Sequence, residues 1–474
     1  MVEEYGSVPD SHSVRTERNL QTKGEVKNLA YTFNGGIHVE EYKNTRRCRI
    51  EVFTPPKTVT IPLSQHIGAP CKPIVKVGDT VTLGQKIGEM PENGLGCPVH
   101  ASVSGKVVAI TESATPSGSR RQNIVIENDG MDTPCPAMQP YRGRLADATT
   151  EEIIEVVKNA GIAGMGGATF PTHAKIASAV GKVNKIIVNC AECEPFITAN
   201  HRLLLENPAS VINGVKILLK ALGVHTAYIA VEDNKLDAIG RLEEICANSS
   251  MIEVRVMKTK YPQGDERQLI YALTGVELPV GKLPADVGCV IFNAETCAAI
   301  FQAFAKGMPL IRRILTVDGD CVRTPKNLLV PIGSTVNDIL DFCGGLKREP
   351  QKIISGGPMM GQAQWDPDMP VTKGTSAILV LSDRFDRKKN AENTCIRCGK
   401  CVANCPMHLM PNYIAQYAGR GDWERASEYG AEACVECGSC TYNCPGGVEI
   451  VQHIRLAKVT LKTLRQRNVG DTKK

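Results

Sequence analysis

Eight of the nineteen cysteines fall into two runs near the C-terminus, Cys395-x2-Cys398-x2-Cys401-x3-Cys405-Pro406 and Cys434-x2-Cys437-x2-Cys440-x3-Cys444-Pro445. No other feature constrains the chain so tightly. Each run matches the bacterial ferredoxin spacing, in which three closely spaced thiolates hold one cubane and the fourth ligates the other. Cys395, Cys398, Cys401 and Cys444 are therefore assigned to one 4Fe-4S cluster, and Cys405, Cys434, Cys437 and Cys440 to a second. Zinc also accepts Cys-x2-Cys spacing. It needs only four ligands per ion, however, and gives no reason for the repeated third Cys, the x3 step and the Pro. The chain begins Met1-Val2-Glu3-Glu4, without a basic or apolar leader, so the cysteines are expected in a reducing compartment, as metal ligands or small buried residues.

The rest of the chain is long enough for about three domains at roughly 150 residues each. Hydrophobic residues make up 42% and charged residues 22% of the 474, an ordinary globular balance. A net charge of +5 over this length gives no basis for nucleic-acid binding. No apolar run approaches the roughly 18 residues of a membrane span.

Composition divides the chain into a series of modules. Residues 1–30 are polar and aperiodic and are expected to be a mobile arm. Residues 31–135 are β-rich, with turn signals such as Gly78-Asp79 and Gly84, and resemble the biotinyl/lipoyl-type barrel-sandwich hybrid. Where those domains carry a modified Lys, this chain has Glu92-Asn93-Gly94, so the expected role is structural. Over 136–310 helices alternate with short apolar strands, which predicts an α/β layer with a mainly parallel sheet. Residues 311–382 read as a small α+β domain, 383–390 as a charged linker, and 391–455 as the Cys-rich module. Helical spacing between its two runs predicts a more helical unit than a minimal ferredoxin. Residues 456–474 form a basic tail, to be met by acidic lipid or a partner, or simply solvated as a helix end.

Ahead of the cysteine runs lies a glycine-rich loop, Gly161 to Lys175, with Gly164, Gly166 and Gly167 at its centre. Glycines let backbone amides approach a phosphate, and a following helix N-terminus favours the anion. The loop departs from G-x-G-x-x-G because Thr169 stands at the third glycine position, and it follows a helix rather than a strand. On those features alone a tight structural turn is an equal reading.

Gly164 to Lys175 is similar to the flavin-binding loop of the NADH-oxidising flavoprotein subunit of respiratory complex I. Asn189-Cys190-Ala191-Glu192-Cys193-Glu194-Pro195, Tyr261-Pro262-Gln263-Gly264-Asp265-Glu266 and Asn293-Ala294-Glu295-Thr296 look like that family's further motifs, in its order. With the Gly35-Gly36-Ile37-His38 start, the lipoyl-like domain and the double ferredoxin, residues from about 33 to 455 resemble the C subunits of the Rnf complexes. Those membrane assemblies exchange electrons between ferredoxin and NAD while moving ions.

The resemblance implies a multidomain fold: a barrel-sandwich hybrid, an α/β flavin and NADH core, an SLBB- or ubiquitin-like α+β domain and a helical double 4Fe-4S domain. It implies FMN contacts at Gly164, Gly166, Gly167 and Lys175, with Asn189, Glu192, Tyr261, Gly264, Asp265 and Asn293 closing around the flavin. Phe170 is expected to face the nicotinamide or adenine ring, and Glu194 and Glu266 to hydrogen-bond the dinucleotide, which puts Glu194, Phe170 and Lys175 nearest the chemistry. Ala191 and Met165 depart from complex I, which has an acid and an Arg there. Cys190 and Cys193 form a Cys-x-x-Cys inside the flavin motif, where buried small residues are the better reading than a redox pair.

NADH yields two electrons together while a cubane takes one, so a flavin is expected between them. The expected cofactors are FMN, NAD(H) and two 4Fe-4S clusters. The expected partners are the other subunits of a membrane electron-transfer complex, including a ferredoxin-accepting iron-sulfur subunit, with the chain peripheral on the cytoplasmic face of a bacterial membrane. Two other readings share these features: a soluble flavin and iron-sulfur cobalamin reductase, and an electron-transfer protein without a working flavin site.

Overall fold

A computed structural model describes residues 30–92, 94–115, 120–386 and 393–471. The expected arm thus lies outside the described residues save for residue 30, as do Asn93 and part of the linker.

Short strands with alternating burial build the N-terminal β domain. An antiparallel sheet joins Thr58–Pro62, Arg120–Asn128, Gly105–Ala114 and Thr80–Val81, and a second joins Lys72–Pro73, Lys86–Glu89 and Val99–His100. Val59, Ile61, Ile87, Val107, Ile124 and Ile126 fill the space between them.

The central domain carries four parallel strands in the spatial order Ile252–Met257, Ala227–Glu232, Lys185–Cys190, Cys289–Asn293. Parallel strands are buried on both faces and need apolar runs such as Ile186-Ile187-Val188, all fully buried. The helix Pro208–Leu222 shows the end signals that set its limits. Asn207 accepts the Ser210 amide, Pro208 occupies the first turn, and Gly223 at φ 62° closes the helix in the left-handed region. In chain order the strands run 3-2-1-4, so the winding reverses between Lys185–Cys190 and Cys289–Asn293. In sheets of this kind ligands bind in the crevice beyond the carboxyl ends at that reversal.

A six-stranded mixed sheet follows, ordered Ile50–Val52, Lys326–Pro331, Arg312–Asp318, Ala377–Leu381, Lys352–Ser355, Gln362–Gln364, with the helix Val336–Phe342 against it. Its first strand comes from the N-terminal segment, Ile50 pairing with Asn327. Residues 31–52 therefore reach well beyond the β domain. Tyr31 bridges to Met257 at the edge of the parallel sheet, and Ile37 pairs with Tyr261.

The C-terminal unit is helical, and its two halves repeat each other. Arg397 and Glu436 occupy the same place in the two Cys-x2-Cys steps and have φ 56° and 57°, while Gly399 and Gly438 each start a one-turn helix bearing Cys401 or Cys440. The helices Pro411–Gly419 and Trp423–Glu428 lie between the halves. One expectation is corrected here. The chain does not part at 455, because the helix Ile450–Asp471 runs through that boundary and buries Ile454, Ala457 and Leu461 in the same core as Ile414 and Ala418. The apolar spacing on one face, not the basic residues on the other, decides where this stretch belongs.

Candidate flavin and iron-sulfur site

The four sequence motifs meet at the reversal of the parallel sheet. Asn189 and Asn293 are register partners at the carboxyl ends of adjacent strands. The Asn189 side-chain amide donates to the Gly264 carbonyl at 2.7 Å, which ties the third motif to the second. Asn293 caps the helix Ala294–Lys306, and Thr296 one turn on accepts the Met165 amide at 3.0 Å, which fixes the glycine loop over that helix. The loop closes on itself through the Gly164 amide and the Phe170 carbonyl at 2.8 Å. Its other side touches the β domain, where the Ile67 amide donates to the Thr169 carbonyl.

These residues fit an FMN. A methyl group at Gly164 or Gly166 would meet no protein atom closer than 3.5 Å, and one at Gly167 would meet nothing within 4 Å. Packing therefore does not demand Gly164 or Gly166, whereas Gly167 at φ 109° is held to glycine by its own backbone; together they leave a cradle with exposed backbone at Gly166 and Gly167. The helix Thr172–Ala179 begins just behind with no side chain capping it, and the buried Thr172 hydroxyl has no hydrogen-bond partner among the described residues. An uncapped helix start, an unmatched hydroxyl and a nearby cation on the same helix are the ingredients of an anion site. The cation is Lys175, whose ammonium donates to the Ile291 carbonyl at 3.1 Å and whose pKa is lowered by burial, partly offset by Glu266.

The acidic residues are arranged less uniformly. Glu192, at φ 52°, accepts the amides of Asn200 and His201 at 2.7 and 3.2 Å, so its carboxylate is already engaged at the start of the helix Ala199–Glu206. Asp265 caps the helix Glu266–Thr274, and burial lifts its carboxyl to about 6. Glu194 accepts the amides of Met359 and Met360 at 3.0 and 2.9 Å, from the loop that follows Lys352–Ser355, and burial pushes its carboxyl up to about 7. Phe170 is half-buried at the mouth of the loop. Burial also raises the Cys190 and Cys193 thiols well above the usual range, and the Cys193 sulfur accepts the Gly264 amide, in keeping with packed residues.

Two lysines that sequence reasoning missed hold the second motif in place. Lys43 donates to the carbonyls of Glu192, Glu194 and Ile197 at 2.8, 2.9 and 2.7 Å, and Lys235 donates to the Ala191 carbonyl and to Glu232. Neither has a local sequence signal, because the motif carbonyls they hold lie far along the chain. The Gly357 to Met360 loop was missed for the same reason. Gly357 leaves room for the Glu194 side chain in its present place, since a methyl group there would lie 2.2 Å from the carboxylate and displace it.

From this site the structure leads directly to one of the two cysteine groups. Tyr261 is 1% exposed, and its hydroxyl donates to the Cys437 carbonyl at 2.7 Å. Gln268, on the helix behind Asp265, donates to the Pro406 carbonyl. Cys405, Cys434, Cys437 and Cys440 lie close enough together that the first three add to burial in raising the Cys440 thiol. Backbone amides point at their sulfurs, Leu409 to Cys405 at 3.4 Å and Glu436 to Cys434 at 3.3 Å. An all-thiol donor set with amide donors suits an iron-sulfur cluster. In the other group Cys401 lies near Cys395, Cys444 is half-buried, and Cys395 and Cys398 are exposed. Among the described residues no three His, Cys, Asp or Glu side chains converge on a single-ion site.

Fold and site together define a flavin and iron-sulfur electron-transfer protein. Comparison with known proteins sharpens this. The chain matches the RnfC barrel sandwich hybrid domain over 31–131, the Nuo51 FMN-binding domain over 157–302, the SLBB domain over 314–363 and the 4Fe-4S dicluster domain over 384–449. It is 48% identical over 442 residues to the C subunit of the Na(+)-translocating ferredoxin:NAD(+) oxidoreductase complex of Acetobacterium woodii, covering 93% of this chain and 99% of that one. It is 44% identical to the C subunit of the proton-translocating counterpart in Clostridium ljungdahlii, covering 84% and 86%. It is 40% identical to the C subunit of the ion-translocating oxidoreductase complex of Rhodobacter capsulatus, covering 92% and 85%. The chain belongs to the family of C subunits of the Rnf ion-translocating oxidoreductase complexes.

Proposed function

We propose that the chain is the NAD(H)-binding flavin and iron-sulfur component of a membrane-associated ferredoxin:NAD oxidoreductase coupled to ion translocation. The observation that carries this reading is the bond from Tyr261, in a flavin motif, to the backbone of Cys437. It ties the third motif, beside the sheet-end crevice, to the backbone of the inner cysteine group. Bound FMN would supply the conversion between a hydride's electron pair and single electrons. The chain's own residues bind, orient and shield. Gly164, Gly166 and Gly167 present backbone to the flavin phosphate, Lys175 balances its charge, and Asn189, Asn293, Gly264 and Asp265 line the crevice. Phe170, Glu194 and Glu266 receive the nicotinamide dinucleotide.

The inner group, Cys405, Cys434, Cys437 and Cys440, takes the first cluster. The outer group, Cys395, Cys398, Cys401 and Cys444, takes the second, with Cys395 and Cys398 exposed toward a partner. That partner is an iron-sulfur protein of the same complex fed by ferredoxin, and ferredoxin-derived electrons reduce NAD. Among the described residues no helix is long and apolar enough to cross a membrane, and the reading places the chain peripherally on the cytoplasmic face.

Anaerobic purification tests the proposal. About one FMN and about eight irons per chain, as two cubanes require, with NADH-dependent dye reduction, are expected. Zinc at the thiols, or iron without flavin, would overturn it.

A further inference from the structure

The Gly35-Gly36 turn sits between the two halves of the proposed relay. On one side, the Gly36 amide donates to the Asn404 carbonyl at 3.1 Å. A methyl group on Gly35 would lie 2.7 Å from the Cys405 carbonyl oxygen and 3.2 Å from Pro406 Cα. On the other side, Ile37 and Tyr261 exchange backbone bonds at 2.8 and 2.9 Å, and a methyl group on Gly36 would lie 2.6 Å from the Tyr261 carbonyl oxygen. Both glycines are left-handed, at φ 77° and 74°. The turn is therefore bare backbone wedged between a cysteine of the inner group and the tyrosine of the flavin crevice, with no space for a β-carbon.

The same segment is anchored firmly at both ends. Tyr31 exchanges backbone bonds with Val256 and Lys258 at the edge of the parallel sheet. Lys43, six residues past Ile37, donates to two carbonyls of the second motif and to that of Ile197 just beyond it. Among the described residues, the hydrogen bonds from the α/β domain to the cluster unit use side chains, the Tyr261 hydroxyl and the Gln268 amide, which adjust more readily than main chain.

We propose that Gly35-Gly36 is a positioning element that sets the gap between the flavin crevice and the inner cysteine group. The inference rests on the relay reading above. It adds that a turn outside the flavin and cluster motifs governs how fast electrons cross between them. A side chain at position 35 would push the Cys405 backbone away and lengthen the gap while leaving the glycine cradle, Lys175 and Glu194 untouched.

The test uses the full chain, loaded with flavin and iron under anaerobic conditions, as wild type, Gly35→Ala, Gln268→Leu and Gly130→Ala. Gly130 has φ 71° with no neighbour within 4 Å, so Gly130→Ala carries the backbone strain without the wedge. Gln268→Leu removes a side-chain bond to Pro406 and leaves the turn intact. Three quantities are read: ferricyanide reduction by NADH, which draws electrons at the flavin; the rate at which NADH bleaches the clusters; and hydrogen exchange over residues 33–37 and 404–407.

Gly35→Ala is expected to keep ferricyanide reduction, slow bleaching roughly tenfold or more, as small misplacements of reacting centres do, and speed exchange in both segments. The other two variants are expected to bleach near the wild-type rate. The inference is overturned if Gly35→Ala bleaches or exchanges like wild type, if it loses both activities equally, or if Gln268→Leu slows bleaching as much. Failure of the relay reading looks different. Loaded wild-type chain would then reduce ferricyanide without ever bleaching its clusters, and the exchange data alone would decide whether Gly35 holds the cluster unit.

Discussion

Glu194 carries the clearest pH signature among single residues. Its carboxyl is pushed to about 7 by burial, against the two amide bonds that lower it. A carboxylate has about four lone-pair sites, so the oxygens that accept Met359 and Met360 can still accept a hydroxyl of the dinucleotide. Protonation takes away the charge that makes such a bond strong and turns one oxygen into a donor. The KM for NADH is therefore expected to rise as pH falls through about 7, and Glu194→Gln to flatten the profile at the weak-binding level, as read from initial rates over roughly two pH units spanning that midpoint. The sign for stability is the opposite one for this raised group. Its contribution is fully present below the ordinary carboxyl range and is lost as pH climbs through about 7. Lys175 separates binding from folding in another way, because its buried ammonium bonds a carbonyl rather than a carboxylate. Lys175→Met is expected to weaken FMN binding by about 1.5–3 kcal/mol, the worth of a charge-assisted bond, without lowering the melting temperature of flavin-free protein. Flavin titration and calorimetry check the two halves separately.

At the scale of elements, much was legible because the signals are local. The helix Pro208–Leu222 announces itself through Asn207, Pro208 and Gly223, and the strand Lys185–Cys190 through its apolar run. The cysteine runs carry their own spacing. The end of the cluster unit was not legible, because the seven basic residues among the last twenty masked the apolar face of Ile450–Asp471 in a reading by composition. Leu461 is 8% exposed in that core. Leu461→Ala is expected to cost about 2–4 kcal/mol of local stability and to lower the iron retained on desalting, and truncation after residue 455 to lower it further. Iron quantitation on matched preparations checks both.

For the molecule as a whole, what stays hidden in a linear reading is how its parts hold one another. Glu295 stands inside the fourth motif, yet it serves the mixed sheet. It pairs with Arg313, 1% exposed, through two bonds at 3.1 and 2.9 Å and accepts the Ile314 amide. Glu295→Ala would strand the buried guanidinium and is expected to destabilise the chain by about 3–5 kcal/mol, measurable by denaturant unfolding. Lys373 acts likewise, its buried ammonium joining Pro98 of the β domain to Gly161 at the root of the glycine loop. The Lys373 bonds join residues 275 and 212 positions apart, and no window on the sequence contains both ends.

The asymmetry between the two thiol groups has a practical corollary. Cys395 and Cys398 face solvent with Ile396 65% exposed beside them, whereas Cys405, Cys437 and Cys440 are buried. Oxygen and chelators reach the first set without crossing any protein. On the relay proposed above, brief exposure to air should thus corrode the outer centre while sparing the inner one, leaving a half-iron form that would still drain electrons from NADH but deliver them to no one.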